Sequence, residues 1–142
     1  MLAQRSGRIV NVSSILGGNA IPFYSVYAVT KHGLIAFSKV LRRELDGTGI
    51  GVVTVVPSWT STDMILPDAQ KMMIESGTNV DSPDFVAERT IEGLLQGERE
   101  IYFGGPKLRA GFWFERHLPA LMDIYYRLTT TPDHIAMSRG GN

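Results

Sequence analysis

GRIVNVSSILGGNAIPFYSVYAVTK, residues 7–31, is the stretch that decides the fold. Residues 8–12 run apolar with β-branched side chains, a pattern typical of a strand, whereas residues 25–45 have the spacing of a helix. Ser14 is therefore expected just past the carboxyl end of a strand. In open α/β sheets the ligand crevice lies beyond these strand ends, where a following helix could bring further side chains.

Tyr27 and Lys31 are four residues apart on the predicted helix, so their side chains share one face. A phenol, with a reference pKa of ~10, is a poor acid or base at neutral pH, and an adjacent cation favours its ionised form. Lys31 is placed to do this for Tyr27. The pattern indicates a general acid/base for an alcohol or carbonyl oxygen, which Ser14 could hydrogen-bond and orient.

A Tyr-x-x-x-Lys pair alone is a weak signal, because such pairs arise by chance. Here it follows Asn11-Val12-Ser13-Ser14 and precedes a strand that ends at Pro57, with Thr62 beyond it. In these features the chain resembles the second half of a short-chain dehydrogenase/reductase. The interval from Ser14 to Tyr27 is 13 residues, the spacing of that family, and it selects Ser14 over Ser13 as the catalytic serine.

The resemblance implies three catalytic residues and a cofactor, NAD or NADP. Ser14 and Tyr27 would contact the substrate, while Lys31 would also hold the ribose hydroxyls next to the nicotinamide. The loop after Pro57 would meet the carboxamide side of the nicotinamide through backbone near Thr60 and the hydroxyl of Thr62. Read without the family, the same loop is a polar segment that ends in a helix N-cap.

One position of this loop departs from the family pattern, which has glycine after the proline. Ser58 stands there in this chain. Serine is strained where the backbone needs a positive φ, so the sequence leaves the geometry of the loop open.

The elements around this stretch indicate one βαβ unit. Residues 51–56, GVVTVV, form a continuous apolar run, which is typical of a strand buried on both faces of a parallel sheet. The preceding helix has an apolar face for the core or for a partner, and its polar end, Arg42 to Glu44, is expected to lie in solvent. The crossover between the two strands should be right-handed. The apolar residues of that helix face are Leu34, Phe37, Leu41 and Leu45, and the basic residues are Arg42 and Arg43.

Further helices and one short strand are expected in the rest of the chain. A short mobile helix is predicted over residues 65–80, and the resemblance to the family implies that this segment is a lid over the substrate. Ser82-Pro83 begins a helix and residues 99–103 form the last strand. An aromatic helical region over residues 107–128, interrupted at Pro119, precedes a loose tail over residues 129–142. The buried stripe of the helix after Ser82 is predicted to contain Phe85, Val86, Ile91, Leu94 and Leu95.

The predicted fold class is α/β: the C-terminal half of a Rossmann-like, doubly wound parallel sheet, with a C-terminal helical extension. Residues 1–105 are assigned to the partial catalytic domain and residues 106–142 to the extension and tail. A dinucleotide site needs a glycine-rich turn between its first strand and first helix. No such turn is present, since Gly47, Gly49 and Gly51 lie between a helix and a strand. The family's cofactor fingerprint would therefore precede Met1.

Composition excludes several other functions. Fourteen basic and fourteen acidic residues cancel, so no overall field attracts nucleic acid. Zero cysteines exclude thiolate catalysis and Cys-based metal sites, the histidines are scattered, and no metal site is predicted. No apolar run is long enough to span a bilayer, and with no signal peptide the default location is cytoplasmic. The aromatic extension could contact a membrane surface, although an interface in a homo-oligomer is favoured.

The leading hypothesis is the catalytic half of an NAD(P)-dependent oxidoreductase that interconverts an alcohol and a ketone or aldehyde. The alternative is a truncated, non-enzymatic fragment that needs the missing half or a partner, because half of a parallel sheet leaves an open strand edge. A sugar epimerase or dehydratase with the same Tyr and Lys is a third reading, for which the short tail leaves little room. Methionines in the lid hint at an apolar substrate.

Overall fold

A three-stranded parallel sheet forms the centre of the fold. The computed structural model describes residues 1–65, 67–75 and 77–130, and its strands are β1 (Gly7–Val12), β2 (Ile50–Val56) and β3 (Glu100–Tyr102), in the order β1-β2-β3. β2 is the central strand and pairs in parallel with both neighbours. Its last five residues are buried, as the continuous apolar run predicts. The predicted α/β class with a parallel sheet is confirmed.

Five α-helices surround these strands in the described part of the chain. They are α1 (Ser25–Glu44), α2 (Pro67–Glu75), α3 (Pro83–Leu95), α4 (Gly105–His117) and α5 (Pro119–Thr129). Each predicted helix is present, and a proline stands in the first turn of α3, α4 and α5. Ser82 caps α3 by accepting a hydrogen bond from the N–H of Phe85, and Pro119 separates α4 from α5. The predicted tail lies outside the described residues beyond position 130.

The two crossover connections place their helices on opposite faces of the sheet. α1 lies against the face that carries Asn11 and Thr54, since Asn11 donates to Ser38 of α1 and Arg42 of α1 donates to Thr54. α3 lies on the other face, where Val86 and Leu94 pack against a buried cluster. The connection from β1 to β2 and the connection from β2 to β3 step in the same direction across the sheet but pass over opposite faces. One crossover is therefore right-handed and the other left-handed, whereas crossovers between parallel strands are usually right-handed. The buried cluster under α3 consists of Val53, Val55, Ile101 and Phe103.

The face that α1 buries differs from the predicted apolar stripe. Phe37 of that stripe is 54% exposed, whereas Ser38 is completely buried against the sheet. Ser38 accepts a hydrogen bond from Asn11 and donates one to the carbonyl of Leu34. Because its polar groups are satisfied in this way, Ser38 can face the sheet, and hydropathy spacing alone could not reveal it.

Arg42 is a second correction, because it does not extend into solvent as predicted. Its guanidinium donates to the carbonyls of Val52 (3.2 Å) and Arg99 (3.0 Å) and pairs with Glu100 at 3.4 Å. Planar guanidinium groups are suited to such multiple contacts. The C-terminal end of α1 is thereby attached to both β2 and the start of β3.

The buried side of α3 is narrower than the predicted stripe. Val86 and Leu94 pack on the core, but Phe85, Ile91 and Leu95 are exposed. Gly93 is the buried residue of this helix. A Cβ at Gly93 would lie 2.6 Å from the Cδ1 atom of Ile101, which has no exposed surface. The absence of a side chain at Gly93 therefore sets how closely α3 approaches the sheet.

The close approach of α3 predicts opposite effects for two glycine-to-alanine changes. Gly93→Ala should lower the free energy of unfolding by about 1–3 kcal/mol, because Ile101 is confined in the core and cannot move aside. Gly33→Ala, in α1, meets nothing within 4 Å and should raise it by about 0.5–1 kcal/mol through helix propensity. Urea unfolding followed by circular dichroism measures both changes. Equal effects of the two substitutions would contradict the close packing at Gly93.

Candidate active site

A cleft of about 1010 Å³ opens at the carboxyl ends of β1 and β2. Parallel strands bring their carboxyl ends to one edge of the sheet, which is where α/β proteins bind ligands. The cleft is lined by every site residue that the sequence predicts. These residues are Ser14, Tyr27, Lys31, Pro57, Thr60 and Thr62.

Hydrogen bonds beyond the strand ends hold Ser14 beside the loop that follows β2. The N–H of Ser13 donates to the carbonyl of Val55 (2.7 Å), and the N–H of Ile15 donates to the carbonyl of Pro57 (2.9 Å). These bonds extend the parallel ladder on either side of Ser14. The hydroxyl of Ser14 accepts from the N–H of Leu16 at 3.2 Å and caps a single 3-10 turn. Ser14 is thus held in place at the floor of the cleft.

Two reciprocal hydrogen bonds join the end of β1 to α1. The hydroxyl of Ser13 donates to the carbonyl of Lys31 at 3.0 Å, and the Nζ atom of Lys31 donates to the carbonyl of Val12 at 3.0 Å. The hydroxyl of Ser13 is bonded to the helix backbone, and both Ser13 and Ser14 line the cleft with Tyr27 and Lys31. The choice of Ser14 over Ser13 stays a prediction.

Tyr27 lies against the apolar cluster below the cleft, which includes Ile15 and Leu16. The Nζ atom of Lys31 lies 5.5 Å from the centre of its ring, as expected for two residues on one helix face. The ammonium of Lys31 and the ring of Tyr27 are thus neighbours at the cleft.

Tyr24 is a second phenol in the cleft, one turn before Tyr27, and the sequence reading did not single it out. Burial raises the pKa of Tyr24, because a phenolate loses hydration there. Tyr24 thus adds a second, half-buried phenol to the lining of the cleft. Its spacing of three residues from Tyr27 is the signal that could have identified it.

The loop after β2 is tied to the segment that precedes α3. Thr60 and Asp81 form a parallel bridge, in which the N–H of Asp81 donates to Trp59 and the carbonyl of Asp81 accepts from Ser61. Peptide groups alternate in direction along an extended chain, so this bridge does not use the N–H and C=O of Thr60. Ser58 has no positive φ, so serine in place of glycine causes no backbone strain there. The predicted helix N-cap in this loop is wrong, since α2 begins only at Pro67.

The remaining walls of the cleft are largely apolar and come from several elements. Trp59 and Met64 belong to the loop after β2, Met73 to α2, and Val86 and Ile91 to α3. α2 thus occupies the position of the predicted lid. The side chain of Met72, which was part of that prediction, lies outside the described residues.

Two absences hold for the described residues. Between positions 1 and 130, apart from the gaps at 66 and 76, no group of three or more His, Cys, Asp or Glu side chains could hold a metal ion. None of the helices in this part of the chain is both long and apolar enough to cross a bilayer.

Comparison with known proteins identifies the family of the chain. The model of the short chain dehydrogenase family matches residues 1–72, half of the sequence. The chain belongs to the short-chain dehydrogenase/reductase family. It is 31% identical to the ketoacyl reductase HetN of a Nostoc species over 71% of its length. It is also 31% identical, over 83% of its length, to a dehydrogenase/reductase SDR family protein 7-like of Anopheles gambiae.

Solved structures of the family share the fold. A short chain dehydrogenase from Burkholderia cenocepacia in complex with NADP superposes with a TM-score of 0.66, at 21% identity, over 92% of this chain and 50% of that one. A short chain dehydrogenase/reductase from Burkholderia phymatum in complex with NAD gives 0.67 at 17% identity, over 86% of this chain and 51% of that one. The chain spans 35% and 39% of the two curated relatives.

The two adjacent serines should both contribute to stability, through different contacts. Ser13→Ala removes a buried hydrogen bond to Lys31 and should lower the free energy of unfolding by about 1 kcal/mol. Ser14→Ala removes the cap of the 3-10 turn and should cost about 0.5–2 kcal/mol. Urea unfolding measures both, with the exposed Ser25→Ala as a control expected within about 0.5 kcal/mol of the unsubstituted chain. Losses no larger than that of the control would argue against the two side-chain bonds.

Proposed function

We propose that the chain forms the catalytic half of an NAD(P)-dependent oxidoreductase that interconverts an alcohol and a ketone or aldehyde. The observation that carries the proposal is the gathering of Ser14, Tyr27 and Lys31 around one cleft at the carboxyl edge of the sheet. Membership of the short-chain dehydrogenase/reductase family and the complexes of its relatives with NADP and NAD support the same conclusion.

The proton-transfer step follows from the chemistry of the three residues. In the oxidative direction, the phenolate of Tyr27 takes the hydroxyl proton of the alcohol while a hydride leaves the carbon atom. In the reductive direction, the phenol returns that proton to the carbonyl oxygen. The ammonium of Lys31 stabilises the phenolate, and Ser14 hydrogen-bonds the reacting oxygen to orient it. The dinucleotide, when bound, accepts or supplies the hydride.

The described residues suit the nicotinamide end of the dinucleotide. Lys31 is a cation with three donor protons, only one of which is needed for Val12. The peptide groups of Thr60, which the bridge to Asp81 does not use, can pair with a carboxamide, and Thr62 adds a hydroxyl. Gly47 and Gly49 precede β2, at the end of the strand opposite the cleft, so they form no phosphate cradle for this site.

The substrate proposed for this cleft is an apolar alcohol or carbonyl compound. Its walls are dominated by large apolar side chains, and only a few polar groups converge near Tyr27. Such a lining favours substrates whose carbon skeleton lies against Trp59, Met64 and Met73. The division into a catalytic part over residues 1–105 and an extension over residues 106–142 is part of the same proposal.

The whole protein is proposed to form a homo-oligomer. Phe37 is more than half exposed on α1, and Val26, Val29 and Val40 on the same helix are also exposed. Exposed apolar residues on a single helix are typical of an interface.

The alternative, a fragment that needs a second part, is favoured by one observation. Val10 and Val12 of β1 are exposed, and β1 pairs with β2 alone among the described strands. A strand with an unpaired edge and an uncovered apolar face tends to associate with another chain or domain. Under this alternative, the cleft would become active only when the missing surface is supplied.

Replacement of Tyr27 tests the chemical step. Tyr27→Phe keeps the ring but removes the proton-transferring oxygen, so kcat should fall about 10²- to 10⁴-fold with little change in KM. The assay uses the longest natural form of the protein that contains this chain. It measures the change in nicotinamide absorbance when apolar secondary alcohols or ketones are added. Tyr125→Phe, at an exposed position on α5, is the matched control. Normal turnover by Tyr27→Phe would refute the mechanism.

Titration of the purified chain with NAD(H) and NADP(H) separates the enzyme from the inactive fragment. Saturable binding supports a working nicotinamide site, and Lys31→Met should then weaken it by about tenfold, because a charged hydrogen-bond donor is lost. Lys39→Met, at an exposed lysine of the same helix, should leave the affinity unchanged. Isothermal titration calorimetry measures all three proteins. No binding by the unsubstituted chain would favour the fragment.

A further inference from the structure

The carboxylate of Asp81 is buried, with 8% of the residue exposed, in the segment before α3. One of its oxygens accepts a hydrogen bond from the hydroxyl of Ser58 at 2.5 Å, and the other accepts from the side-chain amide of Asn79 at 2.8 Å. None of the ion pairs in the described part of the chain involves Asp81. A buried carboxylate depends strongly on such neutral donors, and hydrogen bonds to an ionised group are the stronger kind.

The main chain of Asp81 makes two further bonds to the same loop. Its N–H donates to Trp59 at 2.8 Å, and its carbonyl accepts from the N–H of Ser61 at 2.9 Å. The loop itself is tightened by the hydroxyl of Thr60, which donates to the carbonyl of Ser58 at 3.1 Å. Asp81 therefore contacts three residues of the loop: Ser58 through its side chain, and Trp59 and Ser61 through its backbone.

This arrangement explains how serine can replace glycine after Pro57. The backbone at Ser58 does not need the freedom of glycine, since its φ is not positive. The serine instead adds a hydroxyl that reaches the buried carboxylate 23 residues further along the chain. The loop is thus fixed by a side-chain contact that a glycine at position 58 could not make.

We propose that Ser58 and Asp81 are a pair of positioning residues that hold the loop of residues 57–62 in the conformation that receives the nicotinamide. This inference rests on the proposed function, because it assigns the pair to the same cleft. Neither residue is proposed to touch the reacting atoms. They act through Thr60 and Thr62, whose backbone and hydroxyl face the dinucleotide in that proposal.

A set of four variants tests the pair by dinucleotide affinity. Ser58→Ala and Asp81→Ala should each raise the Kd for NAD(P)H about tenfold, the equivalent of one lost hydrogen bond to a charged group. The double variant should lose about the same factor rather than the product, because both changes release one contact. Ser58→Thr keeps the hydroxyl and should stay within about threefold of the unsubstituted protein.

Ser82→Ala is the matched control, since it removes a neighbouring hydrogen bond that caps α3 but touches no loop residue. It should lower the stability while leaving the Kd unchanged. A purely structural role of Asp81 would give the same pattern as this control, with lower stability and an unchanged Kd, and would overturn the proposal.

Amide hydrogen exchange gives a readout that does not depend on dinucleotide binding. The N–H of Ser61, which is bonded to Asp81, should exchange about tenfold faster in Asp81→Ala and Ser58→Ala, but not in Ser82→Ala. Unchanged exchange in the first two variants would overturn the clamp itself. If the unsubstituted chain bound neither dinucleotide, the proposed function and the cofactor role of the pair would fail together, while the exchange data would still establish whether the pair orders the loop.

Discussion

The reciprocal hydrogen bonds between Lys31 and the end of β1 are the constraint on which the site depends. Lys31 donates to the carbonyl of Val12 through its side chain and accepts from Ser13 through its backbone. These two contacts fix the rotation of α1 about its axis relative to the strand. Because Tyr27 lies one turn earlier on the same helix face, its position follows from theirs. The ammonium is thus a structural group and a charge near the phenol at the same time.

Further polar contacts join α1 to the sheet at two other places. Ser38 binds Asn11 in the middle of the interface, and Arg42 binds the carbonyls of Val52 and Arg99 at its far end. The other face is held differently, because α3 relies on apolar packing and on the missing side chain of Gly93. Directional hydrogen bonds fix the position of α1 along and around its axis relative to the sheet. Close packing at Gly93 fixes only the distance between α3 and the sheet.

Sequence patterns predicted the elements well but predicted their contacts poorly. Strand and helix limits follow local signals such as the apolar run of β2, Ser82-Pro83 and Pro119, and the structure confirms them within a few residues. The stripe predicted for α3 was wrong at Phe85, Ile91 and Leu95. Both α1 and α3 also bury a residue that hydropathy does not mark as core, Ser38 in α1 and Gly93 in α3. The partnership of Ser58 with Asp81 spans the connection that contains α2, and a contact between distant segments leaves no local pattern.

The cleft residues of the family motif were easier to predict than the helix contacts, although they lie on different elements. The spacing of Ser14, Tyr27 and Lys31 follows from a strand, a turn and one helix, so local reasoning could bring them to one edge of the sheet. Tyr24 and Asp81 belong to no such motif. The burial of Tyr24 and the hydrogen bonds of Asp81 are seen only in the structure.

The opposite hands of the two crossovers have a consequence for stability. The cleft is bordered by α1 on one side of the sheet and by α3 on the other, with Lys31 and Ile91 among its walls. A ligand bound there would contact helices of both layers at once. Binding energy would then oppose separation of the layers, so that occupancy and resistance to unfolding rise together.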